Sequence, residues 1–227
     1  MGYTWLLFDA DGTLYDFERT EAVALEATFT EFGVPYDERG RSTYHGINRG
    51  LWQEFERGEI RADDLRVRRF ERFFEAIQLR ADATLASDRF ITHLSEGSYL
   101  IDGAEALISQ LSGRHRLAII TNGLSAVQRP RFAASSIGHM FDPVIISDEL
   151  NVAKPDPAIF DVAFERMGQP SKEEVLLVGD SLSSDMRGGV DYGVDTCWYN
   201  PRGTPRPAAM SITHQIGELE ELPSLLG

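Results

Sequence analysis

The first apolar run of the chain, Trp5-Leu6-Leu7-Phe8, stops abruptly at Asp9-Ala10-Asp11-Gly12-Thr13. An apolar run of this length followed by turn-forming residues predicts a strand buried on both faces of a parallel sheet. In open α/β sheets, ligands bind beyond the carboxyl ends of such strands. Asp9 and Asp11 are therefore candidate site residues, and Gly12 lets the backbone bend close to a ligand.

The rest of the chain divides into two patterns. Residues 16–96 show helix-type apolar spacing without a strand pattern, which predicts an all-helical insertion after the first strand. From Ser98 onward, strand-like and helix-like segments alternate, which predicts βαβ units and a parallel sheet. The strand-like segments are RLAIITNG, DPVIISDEL, EVLLVGD, DTCWYN and, at an edge, SITHQI. The fold class is therefore α/β.

Composition limits the class of partner. The formal charge of −14, from 36 acidic and 22 basic residues, argues against nucleic-acid polymers and anionic membrane surfaces. No apolar run approaches the roughly 20 residues that cross a bilayer, and no leader pattern is present, so we expect a cytoplasmic protein. Cys197 is the only cysteine, and we interpret it as a core residue rather than a reactive thiol.

Several strand-like runs end on polar residues that would meet at one edge of a parallel sheet. These residues are Asp9 and Asp11, Thr121-Asn122-Gly123, Lys154, and Asp180 with Asp185. Carboxylates this close together repel unless a cation lies among them, and Mg²⁺ prefers oxygen ligands. A lysine, a hydroxyl and turn amides suit a phosphate group. The combination indicates phosphoryl transfer.

Each fragment also has a plain structural explanation. Aspartate is common at strand ends and turns, a single lysine is usually a solvated surface residue, and a threonine often satisfies its own turn. Asp180 and Asp185 alone would suit a turn residue and a helix N-cap. All the fragments, however, close strand-like runs at the same predicted edge of the sheet. We therefore interpret them as parts of one site.

The same residues resemble the signature motifs of the haloacid dehalogenase superfamily. The matching motifs are Asp9-x-Asp11-x-Thr13, Thr121, Lys154-Pro155 and Gly179-Asp180 through Asp185. Segments such as GINRGLWQEFERGEI, AKPDPAIFD and GDSLSSDMRGG resemble the YjjG/YfnB-type pyrimidine 5'-nucleotidases of that superfamily. The resemblance implies a Rossmann-like doubly wound parallel sheet with an all-helical C1 cap inserted after the first strand. We expect a core domain of residues 1–15 and 97–227 and a cap domain of residues 16–96.

The resemblance also implies an activity, a Mg²⁺-dependent phosphomonoester hydrolase that forms an aspartyl-phosphate. Asp9 would be the nucleophile and Asp11 the acid and then the base. Mg²⁺ would be held by the Asp9 side chain, the Asp11 backbone carbonyl and Asp180, with Asp185 as a ligand through water or as an orienting group. Thr121, Asn122 and Gly123 would bind phosphate oxygens, and Lys154 would neutralise charge between the nucleophile and the phosphate.

The expected substrate is a small phosphomonoester, a pyrimidine nucleoside 5'-monophosphate. The cap candidates for contacting it are Phe17, Asn48, Arg49 and Trp52, although Trp52 suits packing inside the cap equally well. Asp11 argues against a haloacid dehalogenase because a halide leaves without a proton. Another small-molecule phosphatase, a sugar-phosphate mutase and a non-catalytic binder of a phosphorylated metabolite stay open, and the sequence does not define an oligomeric state.

Overall fold

In the computed structural model, which describes residues 2–226, six strands form one parallel sheet in the order β3-β2-β1-β4-β5-β6. The strands are β1 (Trp5–Phe8), β2 (Arg116–Thr121), β3 (Val144–Ile146), β4 (Val175–Gly179), β5 (Asp195–Tyr199) and β6 (His214–Ile216). β1 lies inside the sheet, with β2 and β4 as its parallel neighbours. The predicted α/β fold with a parallel sheet is confirmed.

Strand β1 is apolar throughout because both of its faces are covered. Leu6 and Phe8 pack into one apolar cluster, and Trp5 and Leu7 pack into the cluster on the opposite face. Alternate side chains of a strand point to opposite faces, so a strand buried on both sides cannot show polar alternation. Cys197 of β5 is also fully buried in the core, as predicted.

Four helices of the described chain lie within residues 16–96, where the sequence predicts consecutive helices. They are α1 (Phe17–Glu31), α2 (Glu38–Glu56), α3 (Ala62–Ala76) and α4 (Ala83–Glu96). They enclose an aromatic cluster in which the rings of Phe29 and Phe73 stack with centroids 4.8 Å apart. The division of the chain into cap and core domains stays a prediction.

The remaining α-helices lie after residue 96, in the part of the chain that also contains β2 to β6. They are α5 (Ala104–Leu111), α6 (Ser125–Ala134), α7 (Ser147–Leu150), α8 (Pro157–Arg166) and α9 (Arg187–Tyr192). Helix α8 begins as predicted, with Asp156 Oδ1 accepting from the Ala158 amide at 2.9 Å and Pro157 in the first turn. Within residues 2–226, no helix is both long enough and apolar enough to span a membrane.

One sequence prediction about strand ends is wrong. The strand that the sequence predicts to end near Lys154 ends at Ile146, and helix α7 follows it directly. β3 is an edge strand that pairs only with β2 in this sheet, so no second neighbour extends it. Lys154 therefore reaches the carboxyl edge of the sheet from a loop rather than from a strand end.

Candidate active site

The carboxyl ends of β1, β2 and β4 meet at one cavity of about 260 Å³. Its core lining includes Asp9, Asp11, Thr121, Asn122, Gly123, Lys154, Asp180 and Asp185. These are the core residues that the sequence predicts for one site, so the parallel register brings the whole set together. A wider cleft of about 800 Å³ adjoins the cavity and shares Asp11, Phe17 and Asp180 with it.

Lys154 is the centre of a buried charge cluster. Its Nζ donates to Asp9 Oδ1 at 2.6 Å, to Asp185 Oδ1 at 2.6 Å and to the carbonyl of Ile120 at 2.7 Å. These three bonds use all the donors of an ammonium group. Burial alone would lower the pKa of Lys154, but Asp185 and Asp9 outweigh it and raise the pKa. The lysine therefore stays protonated.

Asn122 positions Lys154 through the backbone of the lysine. Its Oδ1 accepts from the Lys154 amide at 2.8 Å, and its Nδ2 donates to the Lys154 carbonyl at 2.8 Å. This pair of bonds ties the loop after β2 to the loop that carries the lysine. The Asn122 side chain is thus occupied, which leaves its backbone amide for the predicted contact with phosphate.

Asp9, Asp180 and Asp185 place carboxylate oxygens within 4.8 Å of one another. Burial raises the pKa of Asp9 well above its usual range, and Asp185 and Asp180 raise it further against the opposing effect of Lys154. Burial and the charge of Asp185 also raise the pKa of Asp180 to about 7. Three carboxylates facing one lysine leave negative charge unbalanced, and this oxygen-rich set could hold a metal ion.

The contacts of Asp185 favour an orienting role. Its Oδ1 accepts from Lys154 and its Oδ2 accepts from the Ser181 amide at 3.0 Å, so both oxygens are engaged. Two glycines leave room for these carboxylates. A Cβ at Gly179, which ends β4, would lie 2.4 Å from Asp185 Oδ2, and a Cβ at Gly12 would lie 2.7 Å from Asp180 Oδ2.

The side chain of Asp9 is held on both oxygens. Lys154 occupies Oδ1, and the hydroxyl of the fully buried Thr13 donates to Oδ2 at 3.3 Å. Thr121, at the end of β2, is buried and lines the same cavity. A carboxylate fixed in this way faces the cavity in a defined orientation, as a nucleophile requires.

Asp11 belongs to a different network from Asp9. Arg131 Nη1 donates to Asp11 Oδ1, and Gln128 Nε2 donates to Asp11 Oδ2 at 2.6 Å. Both donors come from α6, and Arg131 is fully buried. The sequence interpretation missed these two residues. The available signal was their spacing, which places a glutamine and an arginine three residues apart on the buried face of a helix.

The four predicted cap residues divide between two surfaces. Phe17 and Trp52 line the cavity that contains Asp9. Asn48 and Arg49 line an adjoining crevice of about 450 Å³, which Phe17 also lines, and Asn48 Nδ2 donates to Glu21 Oε1 at 3.0 Å. Trp52 also meets Phe55 edge to face, with centroids 5.5 Å apart. The substrate contacts of all four residues stay predictions.

Arg69 of α3 and Leu94 of α4 complete the cap side of the cavity, and neither was a predicted site residue. Arg69 lies in the repetitive, strongly charged sequence ADDLRVRRFERFFEA, where several arginines share helical spacing. Nothing in that local sequence distinguishes the buried arginine from its exposed neighbours.

Comparison with known proteins agrees with this geometry. The family model of haloacid dehalogenase-like hydrolases matches residues 3–193. YfnB of Bacillus subtilis is 38% identical over 99% of this chain and 95% of its own length. A crystal structure of YfnB bound to magnesium superimposes with a TM-score of 0.93 at 37% identity, covering 100% of both chains.

Two further relatives also align over nearly the full chain. The pyrimidine 5'-nucleotidase YjjG of Escherichia coli is 34% identical over 100% of this chain and 99% of its own length. The pyrimidine 5'-nucleotidase PynA of Streptococcus pneumoniae is 33% identical over 98% of this chain and 94% of its own length. Because the family model matches most of the chain and the site motifs are present, the chain belongs to the haloacid dehalogenase-like hydrolases.

Proposed function

We propose that this protein is a Mg²⁺-dependent phosphomonoester hydrolase that forms an aspartyl-phosphate on Asp9. The observation that carries the proposal is the buried Asp9 carboxylate, fixed by Lys154 and Thr13 and facing a cavity with Thr121 and Asp180. A carboxylate in this setting is suited to attack phosphorus, because its orientation is fixed and a cation lies beside it.

In the first step, Asp9 forms a bond to phosphorus as the bond from phosphorus to the leaving oxygen breaks. Asp11 gives a proton to that oxygen, so the product leaves as an alcohol. In the second step, Asp11 takes a proton from water, the water oxygen attacks phosphorus, and the bond to Asp9 breaks. Inorganic phosphate is released and the Asp9 carboxylate is restored. Thr121 binds phosphate oxygens in both steps, and Lys154 neutralises negative charge between Asp9 and the phosphate.

The acidic cluster fits the proposed metal. Asp9, Asp180 and the Asp11 backbone carbonyl would hold Mg²⁺, and Asp185 would orient this set from its bonds to Lys154 and Ser181. When bound, Mg²⁺ supplies positive charge to the phosphate oxygens. The YfnB structure bound to magnesium supports this choice of ion.

Pyrimidine nucleoside 5'-monophosphates are the proposed substrates. YjjG and PynA, two relatives that align over nearly their full length, are named pyrimidine 5'-nucleotidases. The aromatic side chains of Phe17 and Trp52 line the cavity and are suited to stack on a base.

The test is phosphate release from a panel of monoesters, with and without Mg²⁺. The panel contains uridine, thymidine, adenosine and guanosine 5'-monophosphates, ribose 5-phosphate and phosphoglycolate. We expect Mg²⁺-dependent release with the highest kcat/KM for the pyrimidine nucleotides. Absence of release from every ester would contradict the hydrolase, and equal rates across the panel would contradict the substrate class. Interconversion of sugar phosphates without phosphate release would indicate a mutase.

A further inference from the structure

Asp180 differs from the other two acidic residues of the site in how it is held. The carboxylates of Asp9 and Asp185 each accept hydrogen bonds on both oxygens, one from Lys154 and one from a hydroxyl or an amide. In the part of the chain that the structure describes, no other side chain donates to the Asp180 carboxylate. Its position therefore depends on the backbone that carries it, immediately after β4 ends at Gly179.

The backbone of Asp180 is held by a tryptophan of the neighbouring strand. Trp198 of β5 pairs with Gly179 at the end of β4, and its Nε1 donates to the Asp180 carbonyl at 2.9 Å. The Asp180 carboxylate also lies close to the loop after β1, since a Cβ at Gly12 would be 2.7 Å from its Oδ2. A shift of the Asp180 backbone would therefore move this carboxylate relative to Asp9.

The indole ring of Trp198 also supports the turn that follows Asp180. Trp198 is 3% exposed and forms one apolar cluster with Met186 and Ile212, and Leu182 packs against this cluster. Leu182 and Met186 are the first and last residues of the helical turn that precedes α9. Trp198 thus holds Asp180 by a hydrogen bond and the residues after it by packing.

A buried indole N–H needs an acceptor, so a purely structural explanation of this bond exists. The choice of acceptor argues for more. The carbonyl belongs to the residue whose carboxylate is proposed to hold Mg²⁺ and which has no side-chain donor of its own among the described residues. Groups that orient the ligands of a metal usually have a strong effect on its affinity.

We propose that Trp198 is a positioning residue for the metal site. Its indole N–H fixes the backbone of Asp180, so that the Asp180 carboxylate faces the ion together with the carboxylate of Asp9. Trp198 acts through Asp180 and does not contact the ion. The proposal rests on the proposed function and adds a residue outside the acidic cluster on which the affinity for Mg²⁺ depends.

The experiment measures the Mg²⁺ concentration that gives half of the maximal thermal stabilisation, at pH 8 and without substrate. Trp198→Phe keeps an apolar ring but removes the N–H. We therefore expect this concentration to rise about tenfold, the lower end of the usual effect of losing such an orienting group. Phosphate release from uridine 5'-monophosphate should show the same rise in its Mg²⁺ requirement, while kcat at saturating Mg²⁺ stays close to that of the wild type.

Two control variants separate the hydrogen bond from packing. Ile212→Val removes a methylene group from the cluster around Trp198 and retains the N–H donor. Trp5→Phe makes the same chemical change at a tryptophan that is 7% exposed and lies at the start of β1. Both should lower the thermal unfolding temperature without changing the Mg²⁺ concentration for half-maximal stabilisation. If Trp198→Phe behaves in the same way, the tryptophan is only structural and the proposal is overturned.

If Trp198→Phe does not fold, NMR of the ¹⁵N-labelled wild-type protein decides the question. Mg²⁺ should shift the indole N–H signal of Trp198 and leave that of Trp5 in place, and an unmoved Trp198 signal would overturn the proposal. Failure of the proposed function looks different from either result. A wild-type protein that neither gains stability with Mg²⁺ nor releases phosphate would overturn that function and the positioning role with it.

Discussion

Arg131, fully buried on α6, donates to the carboxylate of Asp11, the residue proposed to carry the proton. Gln128 of the same helix donates to the second oxygen of that carboxylate at 2.6 Å. The orientation of Asp11 is therefore set by a helix that follows β2 and not by the strand that precedes Asp11. A Cβ at Gly123 would lie 2.5 Å from Gln128 Nε2, so the predicted phosphate loop also packs against this helix.

Arg131→Met should impair hydrolysis of esters that need a protonated leaving group. Because Asp11 would lose its positioning donor, we expect kcat/KM for an alkyl ester such as ribose 5-phosphate to fall about tenfold more than for p-nitrophenyl phosphate, whose leaving group needs no proton. The measurement is kcat/KM for both esters. Arg129→Met on the same helix is the control, since Arg129 is 49% exposed and pairs with Glu149. Equal losses on the two esters would reject the positioning role.

Asp9→Asn should abolish turnover and preserve the fold, because an amide cannot act as the nucleophile while it retains the size of the carboxylate. Steady-state phosphate release and thermal unfolding are the measurements. Asp191→Asn makes the same chemical change at a residue that is 60% exposed and should leave turnover unchanged. Substantial hydrolysis by Asp9→Asn would remove Asp9 from the nucleophilic role.

Lys154→Met should destabilise the metal-free protein by about 3–5 kcal/mol at pH 8, the usual consequence of leaving buried charges without their partner. Asp9 and Asp185 would then face each other without the ammonium that lies 2.6 Å from both. Denaturant unfolding measures the effect. The double variant Lys154→Met/Asp185→Asn should recover part of the loss, and a single variant as stable as the wild type would contradict the buried cluster.

Asp180 should make metal-free stability depend on pH. Its pKa rises from 3.8 to about 7 in the folded protein, chiefly because of burial. Between these values the folded state holds more protons than the unfolded state, so the free energy of unfolding falls as pH rises from 4 to 7. Denaturant unfolding of wild type and Asp180→Asn, each without metal, should show the wild type losing stability relative to the variant over this window.

Mg²⁺ should reverse that trend, since it binds the ionised carboxylates. The expected result is a larger stabilisation by Mg²⁺ at pH 8 than at pH 5 in the wild type and a much smaller one in Asp180→Asn. A stabilisation by Mg²⁺ that is independent of pH, or equal in the two proteins, would argue against Asp180 as a ligand.

Local sequence was sufficient for the strands and for the core side of the site. A strand buried on both faces must be apolar, and in a parallel sheet the residues after neighbouring strands share an edge. Asp9, Thr121 and Asp180 are therefore predictable as one group. The sequence also places Lys154 in this group but for a partly wrong reason, because β3 ends at Ile146 and a loop carries the lysine.

Contacts from helix surfaces were not predictable in the same way. Arg131 meets Asp11 across 120 positions of sequence, and its partner depends on how α6 packs against the loop after β1. Arg69 is one arginine among several on α3, and only packing between the cap helices and the cavity makes it different. Asn122 likewise has a side-chain role that follows from the path of a distant loop.

The most direct measurement is the covalent state of residue 9 during turnover. The wild-type protein is mixed with uridine 5'-monophosphate and Mg²⁺, quenched in acid within one turnover, digested, and examined by mass spectrometry. We predict one phosphoryl group on the peptide that contains Asp9 and none on the same peptide from Asp9→Asn. Rapid release of phosphate with no phosphorylated peptide, or with the phosphoryl group on a different residue, would contradict catalysis through Asp9.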